Sequence, residues 1–232
     1  MKLALMQPYL FPYIGYFQLL AQVDRFVFYD DVNFIKNGWI NRNRLLLQGE
    51  PRYFTVPLRD ASPFRKILEV EIAPGSGWRR TMRESIRHAY GKAPHFTAVA
   101  ALVERVLDTG TSRIGELAKE SVRAVVEHLG LVTDLVDSST RYGNESLSGA
   151  ARVVDICRRE GASDYYNAPG GRALYDADDF GRHGIALHFV QPQPIEYRQG
   201  SAAFVPGLSI IDVLMHNDPM QTRELLGRCT VS

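Results

Sequence analysis

The sequence has few cysteines, almost no net charge and no long apolar run. Each of these features argues against certain classes of protein or partner. Its 232 residues include two cysteines, Cys157 and Cys229, whose separation is not that of metal ligands. Cys157 falls on the apolar side of a predicted helix, which favours a buried free thiol. This sparing use of cysteine predicts a cytoplasmic protein.

Charge and hydropathy also narrow the choice of partner. Lys and Arg total 27 and Asp and Glu total 26, so the net charge of +1 gives no argument for binding nucleic acid or a membrane surface. No apolar run approaches the roughly 20 residues of a membrane span. The N-terminal residues lack the long core and cleavage site of a signal peptide, so we expect a buried strand there. The expected partner is a small molecule.

Familiar catalytic and nucleotide-binding motifs are absent from the sequence. It contains no Gly-x-Gly-x-x-Gly or Walker pattern and no spacing typical of a zinc site. The histidines are scattered and form no visible triad. His216 falls at the end of a predicted helix with Ser209 and Asp212 a turn apart, where it could face a site. Ser209 is equally a good helix N-cap, which is the stronger interpretation.

Two apolar runs at the start of the chain predict a βαβ unit. Residues 2–6 and 25–29 are apolar on both faces, and residues 13–22 between them have helical spacing. This is the order of two parallel strands joined by a crossover helix. In open parallel sheets, ligands bind beyond the carboxyl ends of the strands. Residues directly after these runs are therefore the first candidates for a site.

The rest of the sequence extends this start into an α/β fold. We expect a single domain over residues 1–232, built on a Rossmann-like parallel sheet. An inserted β-hairpin is predicted over 44–57. A helical subregion follows at about 76–130, with Ser76 or Gly77 as its first cap. The middle and C-terminal parts are expected to be largely helical.

The first candidate site is the Tyr13-Ile-Gly-Tyr16 segment at the start of the predicted helix. Nucleotidylyltransferases and class I aminoacyl-tRNA synthetases carry a His-x-Gly-His motif at this place, where it stabilises phosphate charge. Here Tyr13 and Tyr16 occupy the histidine places around Gly15. A phenol donates a hydrogen bond but supplies no imidazolium charge. The pattern predicts nucleotide binding with adenylyl transfer weakened or lost; simple packing of both rings on the sheet is the alternative.

The second candidate site combines a glutamine and a carboxylate pair. Gln7 follows the first apolar run and Asp30-Asp31 end the second, so all three are expected beyond strand ends. Neighbouring carboxylates can bind sugar hydroxyls, hold Mg²⁺ or leave one carboxyl as a general base. The alternative is a turn cap with a solvated charge. Asn33 and Lys36 follow closely and favour the site.

The third candidate site is a polar block formed by Trp39, Asn41, Arg42, Asn43 and Arg44. If this segment is extended, the asparagines share one face and the arginines share the other. Arginine suits phosphate or carboxylate, and asparagine suits sugar hydroxyls or an amide. A charged edge strand is the alternative. The basic groups are too few to argue for RNA binding.

Blocks of sequence spread over nearly the whole chain are similar to those of one known family. They are residues 7–17, 30–34, 39–44, 55–57, 161–165, 170–175 and 208–212. With these blocks the chain resembles the WbqC-like family, whose members occur among bacterial genes for O-antigen and other surface-polysaccharide (lipopolysaccharide) sugars. The resemblance implies modification of a sugar, by acyl or aminoacyl transfer onto an amino sugar linked to a nucleotide.

Two kinds of function are consistent with these candidates. The first is a transferase, with a nucleotide or an activated acyl donor as co-substrate. The aspartate pair would supply the base, Tyr13 and Tyr16 would orient the donor, and Arg42 or Arg44 would hold phosphates. The second is a non-catalytic subunit that binds a nucleotide sugar or a partner enzyme; a degenerate nucleotidylyltransferase is a further alternative. Substrate-binding roles are expected for Gln7, Gly15, Asn33, Lys36, Trp39, Asn41, Arg42, Asn43 and Arg44.

Overall fold

A mixed α/β architecture is seen in the computed structural model, which describes residues 1–75, 77–200 and 203–232. Its strands are β1 (Lys2–Met6), β2 (Arg25–Phe28), β3 (Arg42–Leu47), β4 (Glu50–Thr55), β5 (Leu58–Arg59), β6 (Glu71–Ile72), β7 (Asp134–Val136), β8 (Asp164–Asn167), β9 (Ala186–Pro192) and β10 (Cys229–Val231). Its α-helices are α1 (Ile14–Leu20), α2 (Trp78–Tyr90), α3 (Phe96–Leu107), α4 (Ile114–Leu129), α5 (Gly149–Arg159), α6 (Ala177–Gly181), α7 (Ile210–His216) and α8 (Pro219–Leu226). No helix in these ranges combines the length and apolar character needed to cross a membrane.

Six strands form the central sheet, in the order β10-β9-β8-β1-β2-β7. β1 lies inside the sheet and pairs in parallel with β2 and β8, so that Leu3 stands beside Arg25 and Tyr165. β7 and β9 extend the parallel sheet, and β10 closes one edge antiparallel to β9. The predicted βαβ unit and its parallel strands are confirmed. The sequence did not predict β10, because a three-residue strand carries no readable period.

Helices cover both faces of the sheet, which explains the continuous apolar runs of its inner strands. Leu3 and Leu5 of β1 belong to an apolar core shared with α5 and α6. Ala4, which points the other way, belongs to a larger core shared with α1 and with helices α2, α3, α4, α7 and α8. Alternate residues of one strand therefore anchor two separate layers.

The direction of the chain across the sheet reverses at β1. From β1 the chain passes to β2 and then β7 on one side, whereas β8 and β9 follow on the other. The carboxyl ends of β1 and β8 therefore flank the switch point at which such sheets bind ligands. Gln7 directly follows β1, and its buried Oε1 has no hydrogen-bond partner in the described ranges.

The long segment between β2 and β7 holds the predicted hairpin and three of the helices. β3 and β4 pair antiparallel with Arg44 opposite Tyr53, which confirms the inserted hairpin. α2, α3 and α4 make this part largely helical, as expected. Gly77 precedes α2 with a φ of 63°, in the left-handed region that favours glycine. Ser76, the other predicted cap, lies outside the described residues.

Candidate functional site

A cavity of about 300 Å³ lies where the loop after β1 meets the hairpin and the residues before α7. Four of the predicted site residues line it together, although they come from two different segments of the chain. The lining, which we call the Tyr13 pocket, consists of Tyr9, Pro12, Tyr13, Trp39, Asn43, Arg44 and Gly207. Its walls include three aromatic rings, one guanidinium group and one amide group.

Arg44 is the charged group of the Tyr13 pocket. Its Nη2 donates a hydrogen bond to the carbonyl oxygen of Gly207 at 2.8 Å. Its guanidinium carbon lies 5.7 Å from the ring centre of Trp39. Its Nε–H is buried and has no partner among the residues that the structure describes. A buried unpaired donor costs about 1–3 kcal/mol, so an oxygen atom of a ligand at this position would be stabilising.

An aromatic ladder continues outward from Arg44 along the hairpin. The Trp39 ring stacks on Tyr53 with ring centres 6.1 Å apart, and the guanidinium of Arg42 lies 4.7 Å above the Tyr53 ring. Arg42 also donates to the carbonyl oxygens of Gly38 and Asn37. The ladder thus runs in the order cation, ring, ring and cation, and the contacts at its two ends are of the cation–π type.

The turn before Tyr13 is fixed by buried polar side chains. Phe11 has a φ of 42°, which is uncommon for a residue other than glycine. Its carbonyl oxygen accepts hydrogen bonds from Asn43 Nδ2 and Ser209 Oγ, both at 2.8 Å, and its N–H donates to Ser121 Oγ. Asn43 therefore links the strained turn to β3, and the wall of the Tyr13 pocket is held from both sides.

The Tyr13-Ile-Gly-Tyr16 segment divides its two phenols between different environments. Tyr13 is 38% exposed at the pocket, whereas Tyr16 is buried and donates to the carbonyl oxygen of Gln7. A Cβ atom at Gly15 would lie 2.3 Å from Cε2 of Tyr13, so glycine leaves room for that ring. Neither Tyr16 nor Gln7 lines the Tyr13 pocket. Orientation of a donor by Tyr16 stays a prediction, while its observed contacts are those of a core residue.

The remaining predicted binding residues lie outside the pocket lining. Asn41 donates through Nδ2 to the carbonyl oxygen of Val56 at 2.9 Å, which fixes the hairpin base. Asn33 and Lys36 are exposed, and Asn33 forms a bridge with Lys66. Their roles in binding stay predictions.

Asp30 is buried at the end of β2 in a network that reaches α4. Its Oδ2 accepts from Lys119 Nζ at 3.1 Å. Its Oδ1 accepts from Ser138 Oγ at 2.7 Å and from the Ser139 N–H at 3.3 Å. Lys119 also contacts Glu116 at 2.7 Å. Asp30 thus joins β2 to α4 and to the segment after β7.

Asp31 is also buried, but it points to α5. It accepts hydrogen bonds from Ser139 Oγ and from Nη2 of Arg152. Arg152 in turn donates from Nε to Asn144 at 3.0 Å, and its guanidinium carbon lies 5.0 Å from the ring centre of Tyr29. The two predicted carboxylates therefore pair with different cations, Lys119 of α4 and Arg152 of α5, on the two faces of the sheet, while Ser139 donates to both.

Burial and pairing act against each other on the two cations. Burial disfavours the charged forms of Lys119 and Arg152, but their carboxylate partners outweigh it and raise the pKa of both groups. Both cations therefore stay charged at neutral pH, and each aspartate keeps its donor. Service as a general base stays a prediction for Asp30 and Asp31; the observed contacts are those of structural ion pairs.

A second polar cluster escaped the sequence analysis except for two of its members. Asp212 is fully buried and accepts from Tyr90 at 2.9 Å, from Tyr197 at 2.6 Å and from Gln199 at 2.8 Å. His216 lies one turn further along α7, 6.0 Å from the Tyr90 ring centre. The spacing of Ser209, Asp212 and His216 along α7 was visible in the sequence. Tyr90 and Tyr197 could not be linked to them, because both lie outside that helix.

Replacing Asp212 by Asn is expected to lower the pKa of His216 further. Burial lowers the pKa of His216 below its ordinary value. The charge of Asp212 partly offsets this fall, whereas His95 lowers the pKa further. Removing the carboxylate leaves burial and His95 unopposed. Histidine NMR titration of Asp212→Asn beside the wild type measures the change; a pKa that rises would contradict it.

The depressed pKa of His216 also makes the stability of the folded protein depend on pH. His216 contributes stability above about pH 6.5, its ordinary pKa, and this contribution is lost as the pH falls through its folded-state pKa.

Comparison with known proteins places the chain in one family. No solved structure gives a significant match. The chain is 27% identical over 218 residues to the uncharacterized protein Rv1507c of Mycobacterium tuberculosis (strain ATCC 25618 / H37Rv), and the alignment covers 93% of each chain. The profile of the WbqC-like protein family matches residues 7–224, a range that includes the whole Tyr13 pocket and the buried Asp30, Asp31 and Asp212. The chain therefore belongs to the WbqC-like protein family.

Proposed function

We propose that this protein binds a nucleotide-linked sugar in the Tyr13 pocket and takes part in acyl or aminoacyl transfer onto the amino group of that sugar, in the synthesis of a surface polysaccharide. The observation that carries the binding half of this proposal is the buried, unpaired Nε–H of Arg44 at an aromatic cavity. A nucleotide sugar combines a planar base, a sugar ring and phosphate oxygens, and the pocket has a partner for each kind of group.

The chemistry of the lining supports an anionic ligand with flat faces. The guanidinium fork of Arg44 suits a phosphate, and the faces of Tyr13 and Trp39 suit a base or a sugar ring. At about 300 Å³ the cavity is at the small end for a ligand site, so it fits one ring and its phosphate. The ladder through Tyr53 to Arg42 would contact the remainder of the molecule.

A second function, binding without catalysis, is favoured by the composition of the same pocket. Its seven lining residues include no carboxylate, imidazole or thiol, and burial raises the pKa of its two phenols, Tyr9 and Tyr13, so neither phenol is a ready base at neutral pH. Asp30 and Asp31, the predicted bases, are occupied by Lys119 and Arg152. On this alternative the protein presents a nucleotide sugar to a partner enzyme.

Substitution of Arg44 by Gln is expected to weaken nucleotide-sugar binding by about 30-fold, or about 2 kcal/mol, since a charge-assisted hydrogen bond to phosphate is lost. Ligands are first found by thermal shift with nucleotide-linked amino sugars, ATP and acyl-CoA, because a native-state ligand raises the melting temperature. Calorimetry then measures the affinity of each variant.

Arg52→Gln is the matched control, because Arg52 is an exposed arginine on the same hairpin. Its affinity is expected to equal that of the wild type. Equal weakening by both substitutions would argue for a general charge effect and against the Tyr13 pocket. Incubation of the wild type with the bound amino sugar and a panel of activated donors, followed by product mass, separates the two functions: a mass gain of one acyl or aminoacyl group supports transfer.

A further inference from the structure

A second, larger cavity of about 480 Å³ lies at the other end of α7 from the Tyr13 pocket. It is bounded by the end of β3, by the turn after α2 and by the segment around Arg198, with His216 contributing from the last residue of α7. It shares no lining residue with the Tyr13 pocket. Two independent cavities therefore flank one short helix.

The inner wall of this cavity is preorganised by the Asp212 cluster. Tyr90 donates to Asp212 and at the same time accepts from the Leu46 N–H at 2.9 Å, so it bridges α7 and β3. Gln199 donates to Asp212 and holds both the N–H and the carbonyl oxygen of Val205. Buried polar groups that are all paired in this way hold their side chains in one geometry.

Two cationic side chains lie at the rim of the cavity. Lys92 and Arg198 line it, both are exposed, and neither forms a hydrogen bond or an ion pair with any residue in ranges 1–75, 77–200 and 203–232. The centre of the His216 ring lies 6.0 Å from that of Tyr90 and 6.4 Å from that of Tyr197. No Asp or Glu is among the lining residues.

We propose that this cavity is a second small-molecule site, which takes a phosphate-bearing molecule held by Lys92 and Arg198 above His216. Phosphate is the group that suits this set, because lysine binds it as a point charge and arginine as a two-pronged donor. The imidazole of His216 adds a third donor. The charge of Asp212 is already held by three hydrogen bonds, and it favours a proton on His216 when an anion binds.

This assignment gives the protein separate places for two ligands, and it stands whatever molecule the Tyr13 pocket takes. The two cavities lie at opposite ends of α7, which begins after Ser209 and ends at His216.

NMR of histidine side chains during titration with inorganic pyrophosphate tests the proposal on the intact chain. The signal of His216 is assigned by its loss in His216→Asn. We expect a saturable shift of that signal in the wild type and at least tenfold weaker binding, read at His216, in the double variant Lys92→Gln/Arg198→Gln. Arg44→Gln should leave the titration curve of the His216 signal as it is in the wild type, because Arg44 lines only the Tyr13 pocket. Both cations are exposed, so the double variant is expected to fold normally.

A variant with the same loss of charge elsewhere serves as the control. Arg52 and Arg158 are exposed and line neither cavity, so Arg52→Gln/Arg158→Gln should bind pyrophosphate as the wild type does. The proposal is overturned if the His216 signal does not move, if the two double variants lose affinity equally, or if Arg44→Gln removes the shift.

Discussion

Replacing Arg152 by Met is expected to lower the free energy of unfolding by about 3–5 kcal/mol, which is the scale for removing one partner of a buried ion pair. Arg152 and Asp31 are both nearly inaccessible, with 3% of each residue exposed. Methionine fills much of the volume but donates nothing, so the Asp31 carboxylate would stay buried with Ser139 as its remaining donor. Urea denaturation of both proteins measures the difference.

Arg158→Met is the matched control for this prediction, because Arg158 is an exposed arginine on the same helix, α5. Its effect is expected to stay within about 0.5 kcal/mol. The double variant Arg152→Met/Asp31→Asn should recover much of the loss, since the stranded charge is gone. A double variant no more stable than Arg152→Met would assign the loss to packing against Tyr29 instead.

Replacing Lys119 by Met is expected to have an effect of similar size, about 3–5 kcal/mol, on the other face of the sheet. Lys119 is 1% exposed and its ammonium lies 3.1 Å from Asp30, 2.7 Å from Glu116 and 3.6 Å from Asp137. Glu116 and Asp137 reach solvent and can be hydrated without it. Asp30 cannot, so its charge carries most of the penalty. Urea denaturation again gives the value.

Lys36→Met, at an exposed lysine, should leave stability nearly unchanged. Lys119→Met/Asp30→Asn should be more stable than Lys119→Met alone. These variants also examine the predicted catalytic role of the aspartates. If Asp30→Asn or Asp31→Asn abolishes turnover while stability and ligand affinity hold, that residue is the base. If stability falls together with activity, the aspartate acts through the fold.

Local sequence alone determined the βαβ start, the hairpin and the helical middle part of this protein. Their signals are short-range: apolar residues on both faces of the runs at 2–6 and 25–29, and helical spacing between them. The polar block around Trp39 and Arg44 was also visible, because polar and aromatic groups stand out from the apolar pattern. Which face of an element is buried depends on the apolar pattern of its own residues, so it can be predicted from the sequence.

Tertiary structure alone decided which of the candidate residues meet. Arg44 finds its partner, Gly207, 163 residues away, and Asp30 finds Lys119 at a separation of 89. No periodicity encodes such pairs, because they depend on how helices cross the sheet. The same packing placed Asp30 against Lys119 and Asp31 against Arg152, which come from helices on opposite faces of the sheet. It also gathered Tyr90, Tyr197 and Asp212 from three segments into one cluster, where burial makes their hydrogen bonds strong.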